Sequence, residues 1–290
     1  MNDVENSGSS TRPFQTGAEW EAHVRWRGVV NTKHTPFDLV REVVGAPIDK
    51  LEDFVFRGGG VSLADHAVVR AFRIMNEATR RTQSWERVRK RYEARGIAVD
   101  SFEAIRGLPL EAISDALPSY GSTYDLAASI GGGINGALGA PGAVLGVPTL
   151  LGTSLHAIGA YATHFGYDLA TQYEQDFAVL LLTTGLVTRP SQRGVVVRRL
   201  EEVAFGLEQD PVSDVLEEHG VAILENVAEA MVLRLLLGLL VRSWPGIGLV
   251  LGAGFSRAFV GQVCTAALAA YGQRWLFRHH GAAARLATSD

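Results

Sequence analysis

The sequence LAASIGGGINGALGAPGAVLGVPTLLGTSLHAIGAYATHFGY, residues 126–167, contains no aspartate, glutamate, lysine or arginine, although charged residues make up 20% of the chain. A segment this long without a charge is typical either of a fully buried helical core or of contact with lipid. Its glycine and alanine content favours helices that approach one another closely, since small side chains let two backbones come together. The segment therefore predicts an all-α protein with tightly packed apolar helices.

A second apolar region near the end of the chain resembles the first. Each region reads as a helix, a Pro-Gly break and a Gly/Ala-rich helix that ends in aromatic residues, with the breaks at Pro141-Gly142 and Pro245-Gly246. Proline followed by glycine commonly ends a helix and forms a turn. We therefore predict two Gly/Ala-rich apolar helical hairpins, whose second helices extend to about residue 165 and over about 248–279. The similarity fits either an internal duplication or two solutions to one packing problem.

Helical spacing of apolar residues recurs elsewhere, and no run shows the alternation typical of a strand. Pro109 stands where a first helical position would be in LPLEAISDAL. Thr171 followed by Glu174 predicts a capping box at the start of a helix through FAVLLLTTGL. The other predicted helices are one or two short ones within 35–56, a long amphipathic helix over about 62–95, and helices at 193–207 and 213–241.

Composition limits the class of protein. The net charge of −4 gives no bulk attraction to nucleic acid, and the single cysteine cannot form an internal disulfide. The first residues, MNDVENSGSSTRPFQTG, have neither the basic nor the apolar region of a signal peptide. We expect a disordered tail over 1–18, one helical domain over 19–282 and a flexible C-terminus over 283–290. The expected location is the cytoplasm, either away from the membrane or at its inner face.

The apolar stretches are poor candidates for helices that span a bilayer. Residues 142–166 are long enough, but they contain Pro148, two histidines and several glycines. A helical hairpin buried in the core, a hairpin that dips into a bilayer and a multi-span protein all remain open at this point. Glycines at GxxxG spacing allow close helix contact in lipid and in a protein core alike. These pairs are Gly132 and Gly136, Gly142 and Gly146, and Gly248 and Gly252.

Motifs for catalysis and for cofactors are weak. Gly131, Gly133 and Gly136 match GxGxxG, but a dinucleotide site requires a preceding strand and a later acidic residue, and the pattern predicts neither. Ser154 lies inside a predicted helix, where its hydroxyl is expected to bond to a helix carbonyl. Asp168 is expected in a turn. We predict no catalytic residues, no cofactor and no metal site.

His156 and His164 lie within the apolar segment, eight positions apart. This spacing cannot hold a metal on one helix, because such ligands usually stand three or four residues apart. Two hypotheses follow. The histidines are neutral and hydrogen-bonded in a core, or they form a pH-sensitive or ligand-binding pair.

Basic residues gather near position 90, and the candidates for a surface anchor are Arg87, Arg89, Lys90 and Arg91. They form either a solvated face or a contact with anionic lipid, where each basic residue adds about 1 kcal/mol. Nucleic acid is the weakest alternative because the chain is acidic. Trp275, between basic residues near the end of the last helix, either lies at a membrane interface or holds that helix to the domain.

The order of these features resembles the EcsC family of bacterial proteins. The matching segments are RGLPLEAISDAL, then GALGAPGAVLGVPTLLGTSLHAIGAYATHFGYD, and finally WPGIGLVLGAGFSRAFVGQVCTAALAAYGQRWLFR. The second ends on the turn Phe165-Gly166-Tyr167-Asp168, and here His164-Phe165 replaces the tyrosines that precede this turn in the family. The resemblance covers roughly residues 35–280. It implies an all-helical, mostly cytoplasmic protein with a membrane connection, and it supplies no activity, cofactor or catalytic residue.

The leading functional hypothesis is a non-enzymatic, peripherally membrane-associated protein. It would bind membrane lipid or a membrane protein through the glycines listed above, His156, His164 and Trp275. The alternative is a hydrolase acting on a lipid or other apolar substrate in a helical-bundle pocket. A third reading is a scaffold whose hairpins are simply its core. The sequence leaves the oligomeric state open.

Overall fold

The computed structural model describes Phe14 and residues 16–38, 85–117, 139–187, 190–209 and 248–285. Over these residues it contains α-helices and no strand, which confirms the all-α class. The helices are α1 Gly17–Asn31, α2 Trp85–Glu93, α3 Phe102–Arg106, α4 Leu110–Ala116, α5 Gly139–His164, α6 Gln172–Leu182, α7 Pro190–Gln209 and α8 Gly248–His280. Two 3-10 turns, Thr183–Leu186 and Gly281–Ala284, directly follow α6 and α8.

Helix α8 lies at the centre of the described bundle, where it packs against α1, α5, α6 and α7. Small side chains allow this, because the alanines at 266, 267, 269 and 270 are all buried. One close approach to α8 is at Gly185, in the 3-10 turn after α6. A Cβ added there would lie 2.7 Å from Phe259 Cε2 and 2.9 Å from Val263 Cγ2. The glycine and alanine content of the sequence therefore supports close packing within a protein core.

Helices α5 and α8 run in the same direction. The short connection 165–171 joins α5 to α6, and the two helices pack as antiparallel neighbours. Helix α6 is also antiparallel to α8, since Glu174 meets Arg274 near its start whereas Gly185, just past its end, faces Phe259. Two helices that are both antiparallel to a third are parallel to each other. Both α5 and α8 therefore begin at the same end of the bundle.

The turn predicted at Pro141-Gly142 is wrong, because α5 continues through it from Gly139 to His164. Pro141 is the third residue of α5, where a backbone N–H has no partner within the helix in any case. Pro148 lies in the helix interior and removes one backbone hydrogen bond. The helix nevertheless continues into a segment that is mostly buried from Leu150 onward, and this burial outweighs the loss of one hydrogen bond.

Several predicted helices are confirmed. Residues 193–207 lie inside α7 and residues 248–279 lie inside α8. The helix predicted from Pro109 is α4, although Pro109 is its N-cap residue and Leu110 is its first helical residue. Asp168 lies in a turn, where its Oδ1 accepts a hydrogen bond from the Ala170 N–H at 2.8 Å. Other predictions lie outside the described residues, so the pairing of helices into two hairpins stays a prediction. The predictions outside the described residues concern the segments 39–56, 62–84 and 213–241 and the break at Pro245-Gly246.

Candidate functional site

A buried network of charged side chains joins α6, α7 and α8. The Arg274 guanidinium donates to both carboxylate oxygens of Glu174 at 2.7 Å, and its Nε donates to Glu208 at 2.8 Å. All three side chains are only 2–3% exposed. Burial alone would lower the pKa of Arg274. The two carboxylates more than offset this effect, and the pKa lies well above its ordinary value. The arginine is therefore charged and holds three helices together.

Glu174 does not form the predicted capping box. Thr171 is the N-cap residue of α6, but its side chain makes no capping hydrogen bond and donates instead to the Asp168 carbonyl at 3.1 Å. The Glu174 carboxylate points inward to Arg274 because an exposed capping bond would leave the guanidinium with one carboxylate fewer in the core. The prediction of a capping box is therefore wrong, and the acid of the first turn has a tertiary partner.

Aromatic rings surround the Arg274 guanidinium. Its central carbon lies 3.9 Å from the centroid of the Tyr167 ring, 4.9 Å from that of Phe177 and 5.8 Å from that of Tyr271. Burial raises the pKa of both tyrosines well above the ordinary value, so both are neutral phenols. Neither hydroxyl has a hydrogen-bond partner among the described residues. The rings therefore stabilise the cation through their faces.

A second set of ion pairs connects this network to the surface. Arg278 reaches Glu208 at 3.6 Å and also contacts Glu103, whose side chain is 59% exposed. Glu103 in turn pairs with Arg106 on α3. Positive and negative groups thus alternate from solvent to Glu174. Because arginine donors occupy the carboxylates of Glu174 and Glu208, the arrangement is suited to structural clamping.

The basic residues of α2 fall on two faces of the helix. Arg89 donates to Glu86 at 3.0 Å and to Glu93 at 2.6 Å, and Lys90 lies 3.4 Å from Glu86. Within the described part of the chain, Arg87 and Arg91 make no ion pair, and the Arg91 Nε is buried without an acceptor. Two of the four predicted anchor residues, Arg87 and Arg91, thus lack an acidic partner among the residues that the structure describes.

The two predicted histidines both lie on α5. His164 is buried, and its Nδ1 donates to the Ala160 carbonyl at 2.8 Å, which assigns the proton to that nitrogen. Burial, followed by the charges of Arg91 and Arg87, lowers the pKa of His164 to about 4. Burial and then Arg87 also lower the pKa of His156, which is half-buried. Both are therefore predominantly neutral at pH 7. Ser154 donates to the Leu150 carbonyl at 2.8 Å, as predicted.

The low pKa of His164 makes stability depend on pH. In the unfolded chain this histidine takes up a proton near its ordinary pKa of 6.5, whereas in the folded protein it does so only near 4. We expect the free energy of unfolding to fall by about 3 kcal/mol from this group as the pH drops from 7 to 4. His23 and His156, whose pKa values are also lowered, add to the same trend.

Urea titrations at several pH values test this prediction. The variant His164→Asn keeps a donor for the Ala160 carbonyl but has no titratable ring, so its stability should depend less steeply on pH between 4 and 6.5. His34→Asn is the matched control, because the His34 side chain is 95% exposed. Equal slopes for His164→Asn and the unmodified protein would contradict the prediction.

Trp275 is buried near the end of α8. Its indole Nε1 donates to the Leu108 carbonyl at 3.0 Å, and its ring stacks on His279 with centroids 3.8 Å apart. Of the two roles predicted for Trp275, this placement favours holding the last helix to the domain. The indole N–H bonds the segment between α3 and α4, and a membrane contact of Trp275 stays a prediction.

The predicted glycines divide into two groups. Gly132 and Gly136 lie outside the described residues, whereas Gly142 and Gly146 lie in α5 and Gly248 and Gly252 in α8. Phe165 stacks near Tyr271, with ring centroids 6.4 Å apart, so the two helices are level there. Counting back along parallel helices places the starts of α5 and α8 level to within roughly 5 Å. The described glycines therefore gather at one end of the bundle.

The buried network of Glu174, Arg274 and Glu208 was not predicted from the sequence. The available signal was a charged residue inside an apolar run, namely Glu174 before FAVLLL and Arg274 after LAAYGQ. Charged residues are rarely buried unless they are paired. Among the described residues, no group of three or more histidine, cysteine, aspartate or glutamate side chains could hold a metal ion. None of the described helices is long and apolar enough to cross a bilayer.

A family model described as the EcsC protein family matches residues 60–276. This range includes helices α2–α7 and α8 as far as Leu276, and thus the complete Glu174–Arg274–Glu208 network. No curated protein matches the chain. No solved structure matches it either.

Proposed function

The chain belongs to the EcsC protein family, and from this premise we propose that it is a non-enzymatic, peripherally membrane-associated protein. It binds lipid or a membrane protein through the end of the bundle at which α5 and α8 begin. The described residues at this end include the Gly-rich first turns of both helices, with Gly142 and Gly146 on one and Gly248 and Gly252 on the other.

One observation carries this proposal, namely that two uncharged helix starts lie level at one end of the bundle. Helix α5 contains no aspartate, glutamate, lysine or arginine over its whole length, and α8 contains none before Arg257. Both run parallel, so their uncharged segments are neighbours in space as well as similar in sequence. Apolar segments at one end of a domain can enter the boundary between lipid headgroups and acyl chains without spanning the bilayer.

The alternative hydrolase finds less support among the described side chains. Ser154 donates to a carbonyl of its own helix, and Glu174 and Glu208 are both held by Arg274. An activated nucleophile requires an adjacent base within hydrogen-bond reach. The Ser154 hydroxyl and the carboxylates of Glu174 and Glu208 are instead hydrogen-bonded to structural partners.

Flotation with liposomes tests the proposal. We expect the purified protein to float with neutral phosphatidylcholine vesicles and to remain bound at high salt, because insertion of apolar helix ends does not depend on charge. Flotation that requires anionic lipid and disappears at high salt would contradict insertion at this end. The absence of flotation under all conditions would contradict the membrane proposal as a whole.

A matched pair of variants locates the contact. Leu145→Glu places a carboxylate in the uncharged start of α5, and Val195→Glu places one on α7, where Val195 is 73% exposed. Circular dichroism checks that both variants keep their helical content. We expect Leu145→Glu to reduce flotation on neutral vesicles at least tenfold, since charged groups are strongly disfavoured in lipid, and Val195→Glu to leave it unchanged. Equal flotation of both variants would contradict the location.

A further inference from the structure

We infer that Arg87 and Arg91, at the seam between α2 and α5, form a binding site for a small phosphoryl anion. This inference is separate from the membrane proposal. It concerns a different part of the molecule and a different chemistry, and it stands if the membrane proposal fails.

The geometry of α2 sets these two arginines apart. Residues four positions apart lie about 40° apart around a helix and one turn apart along it, with Cβ atoms about 5–6 Å from each other. Arg87 and Arg91 thus share one face. Glu86 and Glu93 lie on the opposite side, where Arg89 and Lys90 pair with them. The acids of this helix are therefore engaged away from Arg87 and Arg91.

Packing fixes the seam. Val88 and Tyr92 are the buried residues of α2, and the Tyr92 hydroxyl donates to the His164 carbonyl on α5 at 2.6 Å. The Arg91 Nε is buried and lacks an acceptor among the described residues. Arg95, just beyond α2, is already committed, because its side chain donates to the carbonyls of Asp115 and Arg91. The seam therefore contains two guanidinium groups. That of Arg91 is partly buried, and its Nε donor has no acceptor among the described residues. That of Arg87 is exposed.

The lowered pKa values of His164 and His156 reflect burial and, after it, the positive charges of the arginines beside them. Burial is the largest cause of the lowered pKa of His164, and the positive charges of Arg91, Arg87 and Arg95 follow it. For His156 the second cause is Arg87. Among the described residues, the seam therefore brings the positive charges of Arg87 and Arg91 close to imidazoles that are uncharged at neutral pH.

A phosphoryl group fits this arrangement better than other anions. Two guanidinium forks present several N–H donors to a tetrahedral oxyanion, and two positive charges match a phosphate dianion. A single carboxylate is satisfied by one fork. A long polyanion would also meet Glu86 and Glu93 on the same short helix, so the site favours a small ligand or a single headgroup.

The seam is distant from the uncharged helix ends. His156 lies 17 positions after the first residue of α5, which corresponds to roughly 25 Å along the helix. The polar layer of one bilayer leaflet is only about 5–8 Å thick. If the first turns of α5 enter a membrane along the helix axis, the seam therefore lies too far from that membrane for its lipid headgroups to supply the phosphoryl group.

Titration calorimetry with inorganic phosphate on the full chain tests the inference. The variant Arg87→Gln/Arg91→Gln should weaken phosphate binding at least tenfold. The matched control Arg89→Gln/Lys90→Gln also removes two positive charges from the same helix. It should change the phosphate affinity by less than about threefold, since exposed ion pairs contribute little interaction energy. Equal losses in both variants would overturn the inference, because binding would then follow net charge alone. So would an absence of binding to the unmodified protein at about 10 mM phosphate.

Two further arms complete the experiment. Arg87→Gln alone, at an exposed position, serves if the double variant fails to fold, and it should weaken binding at least threefold.

Flotation with phosphatidylcholine vesicles, with and without phosphatidic acid, distinguishes the source of the phosphoryl group. Loss of extra flotation on phosphatidic acid in the Arg87→Gln/Arg91→Gln variant would identify a headgroup. Loss of phosphate binding with unchanged flotation on both vesicles would identify a free phosphate ligand and would leave the membrane proposal intact.

Discussion

Replacing Arg274 with methionine should lower the free energy of unfolding by about 3–5 kcal/mol. The substitution keeps most of the side-chain volume but leaves Glu174 and Glu208 buried without a positive partner. Each carboxylate must then be protonated or hydrated, and both processes oppose folding. Urea denaturation followed by circular dichroism measures the loss.

Arg278→Met is the control, because Arg278 belongs to the same network but is 34% exposed and contacts Glu103 at the surface. Its loss should cost about 1 kcal/mol or less. A triple variant, Arg274→Met/Glu174→Leu/Glu208→Leu, removes all three buried charges and should recover most of the stability. Equal effects of Arg274→Met and Arg278→Met would show that burial of the network does not determine its contribution.

Replacing Gly166 with alanine should destabilise the protein by roughly 3–5 kcal/mol or prevent folding. Gly166 has a positive φ of 82° in the turn between α5 and α6. A Cβ at this position would also overlap the Phe102 carbonyl oxygen and lie 2.9 Å from Arg106 Cγ. Because one obstacle is backbone, the clash can be relieved only by moving α3 away from the turn.

Gly96→Ala separates backbone strain from steric overlap. Gly96 also has a positive φ, 74°, but a Cβ there would meet nothing within 4 Å. This control should cost only the strain of a left-handed residue, about 1–2 kcal/mol. The difference between the two variants, measured by urea denaturation, is the steric part. A difference near zero would contradict the tight contact between this turn and α3.

The sequence predicted several local features correctly. The spacing of apolar residues identified α7 and α8, Pro109 marked the start of α4, and Ser154 was correctly expected to bond to its own helix. The segments that resemble the EcsC family fall largely within the residues that its model matches. These features depend on residues within one or two turns of each other, and such short-range information is contained in the local sequence.

Other local predictions were wrong because longer-range contacts overrode them. Pro141-Gly142 has the composition of a turn, but α5 continues through it because its later residues are buried against the bundle. Thr171 and Glu174 have the spacing of a capping box, but the glutamate pairs with Arg274, 100 residues later in the chain. An arginine in the core attracts a carboxylate more strongly than an exposed backbone N–H does.

The sequence by itself determined the all-α class, the position of the uncharged segment and most of the helices that the structure describes. Only the tertiary structure decided what the charged residues do. It separated the ion-paired Arg89 and Lys90 from Arg87 and Arg91, which pair with no acid in the described part of the chain, and it buried Arg274 between two acids. The physical reason is that apolar periodicity acts along one helix. The partner and the burial of a charge depend instead on which distant helices pack beside it, and neither can be read from local spacing.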